Sequence, residues 1–258
     1  MATLILNTLT DPQTWLFCVV GLVAQMFDGA LGMGFGVVSS TVLIVFGYPR
    51  AVTSAAVNGA KMFTGVALGL SHAWYRNVDW RLFVMLGAGG LIGGVIGALL
   101  ISHNGATIVG PVVSIYLVGV GFYIIWRALR ERSRPVSDAR VMGVALAGGA
   151  LEATSGVWGP LVTSSLVAMG EEPRYAVGTG NLAETVVAVT VFVMLAHQTG
   201  LEAVLHTVVG LVLGAVVASP IAARLTHKVP KRRLMIAVGL LVIASSLIRL
   251  TQDAGWLS

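Results

Sequence analysis

Four ionisable residues, Asp28, Lys61, Glu152 and Glu184, lie within long apolar stretches of this sequence. If these stretches cross a membrane, each charge costs at least about 2.5–3.5 kcal/mol at the bilayer centre. Charges kept at that cost mark ion pathways, ligand sites or buried ion pairs. We therefore expect the four residues to form an ion-binding site or to lie beside one.

Lys61 and Glu184 share a local pattern, because each follows an asparagine by three residues (Asn58 and Asn181). Residues i and i+3 lie on the same face of a helix. The spacing predicts that both pairs project toward one axis, where Lys61 and the two amides could bind a small anion. A buried pair of Lys61 with Glu184 or Asp28 that only holds helices in register is equally compatible with the pattern.

Two glycine clusters, GALGMGFG (29–36) and ATSGVWG (153–159), fall where one short apolar run ends and another begins. A helix that starts inside the protein at such a break presents free N–H groups and a positive dipole end, which attract small anions. We expect backbone N–H groups near Gly36 and Gly159 to contribute to the site.

The residues beside these breaks have alternative roles. Asp28 and Glu152 could cap the new helix N-termini instead of coupling ion movement, because carboxylates favour that position. Phe35 and Trp158 each precede one of the matched glycines and could pack in the core or form the wall of a substrate pocket. The sequence leaves both alternatives open.

The composition is that of an integral membrane protein. Of 258 residues, 56% are hydrophobic and 10% are charged, whereas a soluble domain is roughly a quarter charged. The net charge of +5 comes from basic residues between apolar runs, which argues against nucleic-acid binding. The single cysteine excludes a multi-cysteine metal site, and catalytic signatures such as H-E-x-x-H and the P-loop are missing from the sequence. We therefore expect neither an enzyme nor a cofactor.

The apolar runs predict an all-α polytopic membrane protein with about eight to ten transmembrane segments. The runs cover approximately 13–28, 29–46, 51–72, 80–102, 105–128, 140–154, 156–170, 174–196, 202–223 and 233–250. The first pair of runs and the pair at 140–170 are short and broken by glycines, so each is either two crossings or a re-entrant hairpin. The first fourteen residues contain no Lys or Arg, which favours a permanent span over a cleaved signal peptide.

Basic residues predict the orientation in the cytoplasmic membrane. Residues 127–140 and 224–233 each contain five Lys or Arg, whereas the loops at 103–104 and 198–200 contain none. Positive-rich loops stay in the cytoplasm. Counting crossings from 127–140 then places both termini on the external side.

An internal repeat divides the chain. A shift of 123 residues aligns FGVVSSTVLIVFG (35–47) with WGPLVTSSLVAMG (158–170) and Asn58 with Asn181. Each half has five apolar segments, an odd number, so the second half must be inserted with the opposite orientation. We predict two inverted-topology repeats, residues 1–130 and 140–258, joined by a basic cytoplasmic linker at 131–139; such repeats often form transporters with a site at their interface.

Several stretches resemble the TauE/SafE family of sulfite and organosulfonate exporters. They are AQMFDGALGMGFGVVSSTVL, GLSHAWYRNVDWRLF (69–83), ALEATSGVWGPLVTSSL and GTGNLAET (178–185). The resemblance covers nearly the whole chain and implies transport of sulfite, sulfoacetate or a related oxyanion, often outward. In the branch that looks most similar, His and Glu tend to stand where this chain has Asn58 and Lys61, a difference that adds positive charge.

The expected function is therefore export of a small sulfur oxyanion by alternating access, from an electropositive pocket between the repeats. An importer or channel for another anion, such as thiosulfate, and a non-transporting membrane scaffold are the alternatives. The expected partners are the oxyanion and the lipid bilayer. The sequence leaves open protons as a coupled ion and assembly into a homo-oligomer.

Overall fold

The computed structural model describes residues 10–31, 34–102, 106–129, 137–226 and 231–253. Within these ranges the chain forms ten α-helices and no β-strand, as the apolar runs predict. The helices are α1 (Pro12–Leu31), α2 (Phe35–Val45), α3 (Arg50–Trp74), α4 (Trp80–Ser102), α5 (Ala106–Leu129), α6 (Asp138–Ser155), α7 (Trp158–Ala168), α8 (Pro173–Thr199), α9 (Leu201–Thr226) and α10 (Lys231–Asp253).

The helices differ in their ability to cross a bilayer. Within the described ranges, three segments are both long and apolar enough to do so: Trp80–Ile101, Arg174–Thr199 and Leu201–Ala218. Helices α2 and α7 have 11 residues each. At about 1.5 Å per residue they are roughly 16 Å long, about half of the hydrocarbon thickness. Neither short helix can complete a crossing by itself.

The chain breaks where the two glycine clusters predict it. Helix α6 ends at Ser155 and is followed by Gly156, whose φ of 70° is in the left-handed region that favours glycine. Helix α7 begins two residues later, at Trp158. In the first half, α1 ends at Leu31 and α2 begins at Phe35, with residues 32–33 outside the described part.

Glycines allow close parallel packing of two helix pairs. Helix α9 lies along α1, with Gly210 against Thr14 and Gly214 against Cys18. Because the residue numbers in contact increase in the same direction along both helices, these helices run parallel. Helices α4 and α6 pack in the same way through the GGLIGGVIG segment (89–97). The glycines of this segment allow the backbones of the two helices to approach closely.

Helices α3 and α8 cross at the centre of the bundle and run antiparallel. Gly59 packs against Phe192, whereas Gly69 packs against Leu182. The residue numbers in contact therefore increase along one helix and decrease along the other. Helix α5 packs against α10, the last helix of each half. If the two halves of the chain are exchanged, the packed pair of α1 with α9 corresponds to the packed pair of α6 with α4. The pair of α3 with α8 and the pair of α5 with α10 each correspond to themselves.

Candidate functional site

A buried ion-pair cluster lies where α3 and α8 cross. The ammonium nitrogen of Lys61 lies 2.7 Å from Glu152 Oε1 and 2.6 Å from Glu184 Oε1. The Lys61 and Glu152 side chains are 9% and 0% exposed, and that of Glu184 is 18% exposed. The structure thus contains the Lys61–Glu184 pair that the spacing permits. It adds Glu152, rather than Asp28, as the second ion-pair partner of Lys61 among the described residues.

Asp28 and Glu152 each accept a hydrogen bond from the helix that starts after their break. Asp28 Oδ1 accepts from the backbone N–H of Phe35, at 3.2 Å, and Glu152 Oε2 accepts from that of Trp158, at 2.9 Å. These are the first residues of α2 and α7. The two carboxylates therefore occupy the positive ends of the short helices, as capping predicts.

This geometry gives Glu152 two simultaneous functions. One oxygen accepts from Lys61, and the other accepts from the N-terminus of α7. Glu152 therefore connects the centre of α3 to the broken pair α6–α7. By the helical rise, it lies roughly 21 Å along α6 from Asp138, which forms an exposed ion pair with Arg81 at the end of the bundle. The cluster is thus deep within the bundle.

A small pocket opens beside the cluster. The centres of water molecules can occupy a volume of about 30 Å³ inside it. This volume is enough for a very small ligand or a few water molecules. The lining residues come from α1, α2, α3 and α8: Gln25, Asp28, Phe35, Lys61, Thr64, Gly65, Leu68, Asn181, Glu184 and Thr185. Five of these, Asp28, Phe35, Lys61, Asn181 and Glu184, are candidates from the sequence.

Sequence reasoning missed the other lining residues, of which Gln25, Thr64 and Thr185 are polar. A sequence signal existed for all three. Thr64 follows Lys61 by three residues and Thr185 follows Asn181 by four, so each lies on the same helical face as its partner. Gln25 precedes Asp28 by three residues and shares its face in the same way.

The remaining candidates lie outside this pocket. Asn58 is fully buried; its amide nitrogen donates to the carbonyl of Ser54, and its Oδ1 has no partner within the described part of the chain. Gly36 packs against Gly156, and a Cβ atom added there would lie 2.6 Å from the Lys61 ammonium. Gly159 is buried in the first turn of α7.

Phe35 and Trp158, which the repeat aligns, have different environments. Phe35 lines the pocket, whereas the fully buried Trp158 donates from its indole nitrogen to the carbonyl of Gly180, at 3.0 Å. The Trp158 ring packs against Gly90 and Gly148. Of the two roles that the sequence leaves open, Trp158 has the packing role, and Phe35 forms part of the pocket wall.

The charge balance of the pocket differs from the sequence-based expectation. Lys61 was expected to make the pocket electropositive, but its single positive charge faces Glu152 and Glu184 directly, and Asp28 lines the same pocket. With all four side chains ionised, the cluster carries a net negative charge. The sequence could not show this, because Glu152 comes from a helix 91 residues away.

Comparisons with known proteins find one matching family model and a similar curated protein. The family model "Sulfite exporter TauE/SafE" matches residues 17–248. A curated relative from Bacillus subtilis (strain 168), "Probable membrane transporter protein YtnM", is 34% identical over 238 residues, which cover 88% of this chain and 79% of that protein. No solved structure gives a significant match.

Proposed function

The chain belongs to the TauE/SafE family of membrane transporters, and on that premise we propose that it exports a small sulfur oxyanion, such as sulfite or an organosulfonate, by alternating access. The observation that carries the proposal is the pocket beside Lys61, where α2 begins inside the bundle. A buried cation and a neutral amide can together replace the water around an oxyanion.

The two halves act as inverted repeats in this proposal. Supporting it, the pairing of helices is preserved when the halves are exchanged, and the equivalent helices α3 and α8 are antiparallel. A twofold axis that relates two antiparallel neighbours is perpendicular to both helices, and therefore lies in the membrane plane. Rocking of one half against the other would then open the central site to each side in turn.

Within the pocket, Lys61 and Asn181 would donate to the oxyanion, while Phe35 covers its apolar side. Both donors line the free space, and α2 begins at the same place. Asn58 is not assigned a contact in this conformation, because its amide donates within α3 and its oxygen is only an acceptor. Trp158 and Gly159 would contribute only if the opposite side of the site opens.

The pocket lies toward the end of α3 that is predicted to face the cytoplasm. Along α3, Thr64 and Leu68 lie between Lys61 and the loop at 75–79. The positive-inside rule assigns this loop to the cytoplasm, with both termini external in the cytoplasmic membrane. This conformation would therefore receive an anion from the cytoplasm. A potential that is negative inside favours exit by about 2.3 kcal/mol per charge per 100 mV.

One observation favours a second candidate, a membrane scaffold whose buried charges only hold helices together. Both ion pairs of Lys61 connect different helices, α3 to α6 and α3 to α8. A scaffold would have the same pairs without moving any solute. An importer or channel for thiosulfate would use the same pocket as an exporter, so flux in each direction separates all three functions.

The decisive experiment measures transport by the purified protein in liposomes. Efflux of sulfite from loaded liposomes is measured with sulfoacetate, sulfate or thiosulfate added as a competitor. An anion that shares the binding site should inhibit the efflux. Lys61→Ala should abolish efflux, whereas Arg81→Ala, which removes an exposed ion pair with Asp138, should retain it. Absence of flux with every anion in the panel would support the scaffold.

A further inference from the structure

Glu152 and Glu184 both pair with the ammonium group of Lys61, but they differ in burial and in their other contacts. Glu152 is completely buried, and its second oxygen accepts from the backbone N–H of Trp158. Glu184 is partly exposed and lines the pocket, and the hydrogen bond described for its carboxylate comes from Lys61. Both oxygens of Glu152 therefore accept hydrogen bonds, whereas the Glu184 carboxylate can exchange a proton with the solution in the pocket.

An oxyanion that enters this pocket meets excess negative charge. The charged side chains that act on Glu184 are Lys61 from α3, Glu152 from α6 and Asp28 from α1. Helices α4, α7 and α9 also pack against α8, but no charged side chain from their described portions acts on Glu184. Lys61 is already neutralised, so an anion gains the ammonium only if a carboxylate leaves it or loses its charge.

Glu184 is the carboxylate that can do so. Loss of charge on Glu152 would leave one carbonyl oxygen for its two donors, the Lys61 ammonium and the Trp158 N–H. It would also remove the negative charge that interacts favourably with the dipole at the N-terminus of α7. Asp28 accepts from the N-terminus of α2 in a similar way. A proton on Glu184 disturbs neither helix start. It frees the side of the Lys61 ammonium that faces the pocket for an oxyanion, while the ion pair with Glu152 remains.

We propose that Glu184 is the proton-binding site of the transporter: it takes up one proton and releases Lys61 when the oxyanion binds, so that each anion moves with a proton. This inference rests on the proposed function. No covalent bond changes; the proton binds the Glu184 carboxylate, and the anion replaces that carboxylate at the Lys61 ammonium. A dianion that moves with one proton still carries negative charge, so the membrane potential continues to favour its exit.

The test compares proton movement with anion flux in liposomes that contain the full chain and a trapped pH-sensitive dye. Wild-type protein should move one additional proton per anion relative to Glu184→Gln, which resembles the protonated carboxylate and cannot titrate. Sulfoacetate, thiosulfate and sulfate are the preferred probes because they remain ionised around neutral pH. If only sulfite is transported, its own protons contribute equally to both proteins and cancel in the difference.

Anion binding to the detergent-solubilised protein provides a second readout, which needs no active variant. Affinity of the wild type should fall up to tenfold per pH unit as Glu184 loses its proton, and Glu184→Gln should lose this dependence. Glu202→Gln removes a carboxylate from the exposed start of α9 and should behave as wild type.

The possible failures are distinguishable. If the wild type binds and transports anions with no pH dependence and no proton movement, the role of Glu184 is wrong while the proposed function stands. The same conclusion follows if Glu184→Gln moves as many protons per anion as the wild type. If the wild type transports no anion at all, the proposed function itself fails.

Discussion

Lys61 and Glu184 form an ion pair at 2.6 Å, and they are 123 residues apart, the same offset that aligns the two halves of the chain. In the inverted repeats that we propose, residues at equivalent positions contact each other only where the axis between the repeats passes. The pair lies in the interior of the bundle, where α3 crosses α8. The two aligned positions carry opposite charges.

Removal of the Lys61 charge should destabilise the protein, and removal of a second charge should restore part of the loss. Lys61→Met leaves two carboxylates buried without their cation, which typically costs about 3–5 kcal/mol. The double variant Lys61→Met, Glu184→Gln leaves one buried carboxylate fewer and should unfold at a higher temperature than the single variant. Thermal unfolding in detergent measures both. Equal unfolding temperatures would argue against direct coupling of the two residues.

The two glutamates should differ in their contributions to stability. Glu152→Gln leaves one carbonyl oxygen for two donors, the Lys61 ammonium and the Trp158 N–H, so a charge-assisted hydrogen bond worth about 1.5–3 kcal/mol is lost. Glu184→Gln keeps an acceptor for its one described donor and should cost less. Thermal unfolding of the two variants, measured side by side at neutral pH, checks the order; a larger loss for Glu184→Gln would contradict it.

Contact between Gly36 and Gly156 should tolerate no side chain. A Cβ atom on Gly36 would overlap the Gly156 carbonyl and approach the Lys61 ammonium. Overpacking of this kind typically costs about 1–3 kcal/mol, so Gly36→Ala should lower both the unfolding temperature and anion flux. Gly143→Ala is the matched control, because an added Cβ there meets nothing within 4 Å. Equal behaviour of the two variants would show that the broken pairs do not approach as described.

An additional negative charge in the pocket should weaken anion binding. Asn181→Asp preserves the size of the side chain but replaces a donor with a carboxylate, and we expect at least about tenfold lower affinity at neutral pH, or about 1.4 kcal/mol. Gln198→Glu adds a negative charge at the exposed end of α8, far along that helix from the pocket, and should leave affinity unchanged. Competition against the transported anion gives both affinities.

The inverted topology can be tested by cysteine labelling in intact cells. Cys18→Ser removes the single native cysteine, and Gln198→Cys and Tyr75→Cys then place one thiol at opposite ends of the bundle. An impermeant maleimide should label position 198 from outside, and position 75 only after the membrane is permeabilised. Labelling of both from the same side would contradict the proposed orientation.

Much of the fold can be predicted from the sequence, because bilayer physics acts on local composition. Long apolar runs must be helical so that their backbone hydrogen bonds are satisfied internally. The breaks at 29–36 and 153–159 were also predictable, because each glycine cluster lies between two short apolar runs. In the structure a glycine in the left-handed conformation follows α6, and a carboxylate accepts from the first N–H of each short helix. The orientation follows from the positions of Lys and Arg, and remains a prediction.

The sequence by itself determined which residues carry buried charge and where the helices are interrupted, because both depend on residue type and near neighbours. Only the tertiary structure decided which charges meet. Lys61 contacts Glu152 because α3 packs directly against α6, where the Ser54 hydroxyl donates to the carbonyl of Ala153. The two ion-pair partners are 91 residues apart along the chain. The net charge of the pocket depends on which charged side chains lie close together, since electrostatic energy depends on distance in space and not on separation along the chain.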